Sequence, residues 1–89
     1  MVKSDAGTLN QLAWLLATNA AVLNAVQAKE LATRACELSS WGEAGHLDTL
    51  AVACAELGEL AEAMKWMERA VQLEDREEYR ERLAIWRAK

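Results

Sequence analysis

Residues 47–70 read LDTLAVACAELGELAEAMKWMERA. Large apolar residues recur at Leu47, Leu50 and Cys54, with the small Ala51 beside Leu50. That i, i+3, i+4, i+7 spacing puts all four on one face of a helix. After Gly58 the period resumes with Leu60, Ala63, Met64, Met67, Ala70 and Val71. Glycine enters the left-handed backbone region at little steric cost, so Gly58 is the natural stop of the first helix. A connection this short turns the second helix back antiparallel to the first, and the stretch reads as a helix hairpin. Ala51, Ala63 and Ala70 stand where the two helices touch. A bulky residue at any of them would overpack the hairpin by roughly 1–3 kcal/mol.

The preceding half repeats the pattern. Leu9, Leu12, Ala13 and Leu16 are followed by Ala28, Leu31, Ala32 and Ala35, and Leu38 corresponds to Leu73. Residues 19–23 carry the extra length of this half. Helices are predicted at 8–18, 24–39, 43–57, 60–73 and 76–87. Their starts carry capping signals: Thr8 with Gln11, Asn24 with Gln27, Ser40 with Glu43, and Asp75 with Glu78. Tyr79, Leu83 and Trp86, at i, i+4, i+7, give the last helix an apolar stripe that covers the face left open by the second hairpin. The expected architecture is one all-α domain over residues 1–89: two antiparallel hairpins in series and a terminal helix.

Composition agrees. The 89 residues are 53% hydrophobic, with no proline or phenylalanine, and alanine and leucine outnumber the β-branched residues that favour strands. The formal charge of −4 disfavours nucleic acid, because a polyanion gains nothing from an acidic chain. No stretch is long and apolar enough for a membrane span, and Lys3 leads into Ser-Asp-Ala-Gly rather than a signal peptide's apolar core. The expected location is cytoplasmic. Cys36 and Cys54 belong to no paired-cysteine motif and the chain has one histidine, so no metal or other cofactor is expected and both thiols are expected free and buried.

Residues 44–77 resemble one tetratricopeptide repeat. Leu47, Leu50, Ala51, Cys54, Gly58, Leu60, Ala63, Met67 and Ala70 occupy its large, small and turn positions, and Asp75 stands where the family usually has proline. Residues 6–38 resemble a divergent first repeat, with 76–87 as a capping helix. The resemblance implies a short right-handed α-solenoid, and it implies a role in binding a protein or peptide on the inner surface of the first helix of each repeat. Those inner positions fall on Asn10, Trp14, Ala17 and Thr18, and on Asp48, Val52, Ala55 and Glu56. Family members that clamp a C-terminal carboxylate use lysine and asparagine where this chain has Asp48 and Val52, so the implied ligand is apolar or mildly basic. The alternative is a structural or self-associating unit, or part of a larger protein, since two hairpins are near the minimum for such a stack.

Nothing in the spacing supports catalysis. His46 has Glu43 three residues before it, a pair that reads as a surface contact, and no nucleophile or glycine-rich phosphate loop accompanies it. Glu78 and Arg82 form a favourable i, i+4 pair on a solvated face of the last helix. The four tryptophans are the informative excess. Trp41 precedes a helix start and is placed to act as an apolar plug. Trp66 is expected partly exposed or facing the last helix. Trp14 lies off the leucine stripe, either as a contact for a partner or covered by Leu23.

Overall fold

The structure, a computed structural model, describes residues 5–18 and 22–89, with only the backbone of Val22 and Leu23. It contains α1 (Ala6–Ala17), α2 (Val22–Leu38), α3 (Ala44–Glu56), α4 (Leu60–Leu73) and α5 (Glu77–Arg87). All five predicted helices are present, within two residues of the expected bounds. Helix α1 packs on α2, and α3 on α4; α3 also receives α1 and α2, and α5 lies on α4. Helices α1 and α4 share no comparable packing. The result is a compact all-α fold with a radius of gyration of 12.1 Å, close to the roughly 12 Å expected of a folded chain of this length.

Small residues hold the helices together. Ala13, Ala32, Ala51, Ala63 and Ala70 are fully buried beside Leu47, Leu50, Met67, Cys36 and Cys54 in one core, and Tyr79, Leu83 and Trp86 close it from α5. Ala17, Ala28 and Ala53 form a smaller cluster. Both cysteines are free and buried. Burial pushes the Cys36 thiol up to about 12 and that of Cys54 to about 11.

Leu12 departs from its expected place: it is 46% exposed. The inward stripe of α1 is Leu9, Ala13 and Ala17, at i, i+4, i+8. Close helix approach selects the alanines and rotates Leu12 and Leu15 outward.

The predicted caps are largely replaced. Asp5 caps α1, its Oδ1 accepting from the Thr8 amide at 2.8 Å, so Thr8 lies inside the first turn. These bonds hold the Asp5 carboxyl below its ordinary value. Asn24 lies inside α2, and α3 and α5 start without a side-chain cap, at Glu43 and Arg76. Asp75 instead accepts from Arg80 at 2.6 Å.

Gly58 performs as expected. It has φ 79°, with the Glu59 amide donating to Cys54 and the Gly58 amide to Ala55. This is a Schellman turn. Helix α2 ends in the same pattern without glycine: the Trp41 amide donates to Cys36, the Ser40 amide to Glu37, and Ser40 and Trp41 have φ 55° and 60°. Ser40 therefore terminates α2 instead of capping α3, since a capping residue needs extended backbone.

Candidate functional site

Helices α1, α3 and α5 line a depression of about 340 Å³, together with Arg76 just before α5. Helix α1 contributes Asn10, Gln11 and Trp14; α3 contributes Gly45, Asp48 and Thr49; Glu78, Tyr79 and Arg82 come from α5. Trp14 is half-buried, and the Arg82 guanidinium carbon stands 5.3 Å from its ring centroid. The Arg82 Nη1 donates to Asp48 Oδ1. A cation over an indole face and a shared hydrogen bond to a carboxylate fix Arg82 in the groove from two sides.

This arrangement replaces the predicted Glu78–Arg82 pair. Glu78 accepts from Arg76 instead, at 3.3 Å. An exposed i, i+4 pair contributes only about 0.2–0.5 kcal/mol, whereas an unpartnered buried carboxylate is expensive, so Asp48 takes the arginine. Burial still outweighs the hydrogen bond and charge of Arg82, and the Asp48 carboxyl is raised above its ordinary value. Burial and the neighbouring Asp48 charge likewise raise Tyr79. Asn10 Oδ1 is buried there and has no hydrogen-bond partner among the described residues.

The eight inner-face residues thus separate into two groups. Asn10, Trp14 and Asp48 come together in the depression. Ala17 is buried in the smaller cluster and has no surface to offer a ligand; Val52 and Ala55 are half-buried and packed on the core. Thr18 is exposed with its hydroxyl donating to the Trp14 carbonyl at 2.8 Å, and Glu56 is exposed at the end of α3. Leu23, the alternative cover for Trp14, has its side chain outside the described residues. The Asp48 carboxylate, at an inner-face position, is occupied by Arg82. Arg82 is the residue that sequence reasoning missed, because its partner lies 34 positions away and only packing brings the two together.

His46 does not pair with Glu43. It is buried, with Nδ1 3.0 Å from Ser39 Oγ across the turn between α2 and α3. The Ser39 hydroxyl also lies 2.9 Å from the Ala35 carbonyl. A hydroxyl proton directed at that carbonyl leaves Oγ to accept from the imidazole, which ties the turn together and is the wrong polarity for an activated nucleophile. Among the described residues, no three His, Cys, Asp or Glu side chains are grouped to hold a metal ion, and no helix is long and apolar enough to cross a membrane.

Two other surfaces stand out. Trp66 is partly exposed, as expected, and stacks on Trp41 with ring centroids 5.0 Å apart and planes 17° apart, beside a depression of about 520 Å³. Leu12, Leu16 and Leu31 floor a third depression of about 420 Å³, rimmed by Gln27 and Glu30. No protein-family model, curated protein or solved structure matches the chain.

Proposed function

We propose that this chain is a non-catalytic protein-interaction module, a short stack of two helix hairpins and a terminal helix in the tetratricopeptide manner, which engages an apolar peptide segment on the face shared by α1, α3 and α5. The observation that carries this reading is the half-buried Trp14 at the centre of a depression built from both hairpins and the terminal helix. Tryptophan offers a large amphipathic contact area, and interface energies concentrate on such residues. Four charged residues line the groove, and they are paired with one another, Asp48 with Arg82 and Glu78 with Arg76, which favours an apolar segment over a charged one. The repeat architecture is supported by the order of packing, hairpin on hairpin with α1 remote from α4, and by alanine at the helix contacts. Selection from a displayed random-peptide library on the immobilised protein tests the reading. Apolar sequences should emerge whose binding is lost on Trp14→Ala; binders indifferent to that change overturn it.

A second reading, self-association, has its own observation. The Leu12–Leu16–Leu31 depression lies on the first hairpin, and Leu15 on the same helix is 66% exposed. Light scattering over a concentration series separates the readings. A mass that rises with concentration, and that Leu12→Glu returns to the monomer value, supports the assembly.

A further inference from the structure

The Trp41–Trp66 surface is distinct from the inner groove, and three separate costs converge on it. Trp41 is delivered by two consecutive non-glycine residues in the left-handed region, Ser40 and Trp41, a conformation L residues adopt only under constraint. The two indoles stack half-exposed instead of entering a core built from alanine and leucine. Lys65 and Arg69, both lining the depression, are like charges at i, i+4 on one helix face, an arrangement that opposes the helix.

The charges around the indoles are unbalanced in an otherwise acidic chain. Lys29, Arg76, Arg80, Arg82 and Arg87 are in ion pairs, whereas Arg34 and Lys89, like the two cations of this patch, have none among the described residues. Lys65 and Arg69 have no carboxylate partner among the described residues; the Lys65 Nζ rests 4.6 Å from the Trp66 ring centroid. Glu68, the acidic residue between them, is engaged by Arg87 at 3.2 Å. The patch therefore offers an aromatic platform, a depression beside it and two cations without a carboxylate partner, one of them resting on the platform itself. From this we infer a second docking surface, on α4 and the α2–α3 turn, for an acidic peptide segment carrying an aromatic side chain. The aromatic group lies in the depression against the Trp66–Trp41 stack, and flanking carboxylates take Lys65 and Arg69. A single-stranded nucleic acid has similar stacking and charge, but two cations on a chain of net charge −4 do not make the continuous basic track its backbone requires.

The test titrates a capped peptide, one phenylalanine with acidic residues on both sides, into the full chain by calorimetry. Controls are its charge-inverted counterpart and oligothymidylate. The acidic peptide should bind, the basic one should not, and affinity should fall as salt is raised. Lys65→Glu combined with Arg69→Glu should weaken binding at least about tenfold, while Trp14→Ala leaves it unchanged. Both positions are exposed, so a thermal melt of the double variant matching the wild type shows that folding is intact. Absence of binding, equal binding by the double variant or the basic peptide, or preference for oligothymidylate overturns the inference. So does a concentration-dependent mass that Trp66→Ala abolishes while no peptide binds, because the occupant is then a second copy.

Discussion

Ser40 and Gly58 perform the same task with different side chains, and the difference is measurable. Each sits at the left-handed position of a helix-terminating turn, at φ 55° and 79°. A Cβ added at Gly58 meets nothing within 4 Å, so the demand there is conformational and not steric crowding by neighbours. Ser40→Gly should therefore stabilise the fold by about 1 kcal/mol and Gly58→Ala destabilise it by about 1–2 kcal/mol, read from urea midpoints. Equal or reversed effects would show that the turns differ in more than backbone preference. Asp48 makes a prediction in pH. Its carboxyl is raised above the ordinary 3.8, so the folded chain holds this proton more tightly than the unfolded chain does. Its contribution to stability is fully present below 3.8 and is lost as pH rises through the raised value. Measured against the non-titrating Asp48→Asn, the wild type should gain relative stability on acidification through that window; a flat or opposite difference contradicts the burial argument. The cysteines give the simplest check. With thiols raised to about 12 and about 11 and buried, a chromogenic disulfide should label neither at pH 8 until denaturant is added.

Helix α5 shows which part of an element can be read from its own residues. Tyr79, Leu83 and Trp86 form a stripe that is visible in the sequence and buried in the fold. Leu83→Ala should cost about 2–5 kcal/mol, whereas Ile85→Ala, at a position 58% exposed, should stay within about 0.5 kcal/mol. Comparable losses at both would mean that α5 packs by another face. The partner of Arg82 was not legible, because local spacing offers Glu78 while the fold offers a buried Asp48. Helix α1 misleads for a related reason. Hydrophobic periodicity weights leucine over alanine, yet the contact with α2 and α3 is made through Ala13 and Ala17. Ser40 illustrates the limit on caps: a serine three residues before a glutamate signals a helix start, and the left-handed backbone that overrides it has no signature outside glycine and asparagine.

At the scale of the whole molecule, helix number, order and the covering role of α5 were legible because alanine spacing and Gly58 are packing rules written into the chain. The site was legible in part. Asn10, Trp14 and Asp48 converge, while Ala17 belongs to the interior and the Trp41–Trp66 stack depends on a turn that no local pattern announces. A small-residue core carries stability, and the proposed recognition surfaces are centred on tryptophans. Trp14 stands at the boundary between the two, half-buried under Arg82. Its removal separates a recognition role from a structural one. Trp14→Ala should abolish binding to library-selected apolar peptides with a stability change of no more than about 1–2 kcal/mol, the loss of one cation–π contact and partial burial. A stability loss of about 3–5 kcal/mol, characteristic of a buried tryptophan, with peptide binding unchanged in the fraction that remains folded, would contradict the recognition role.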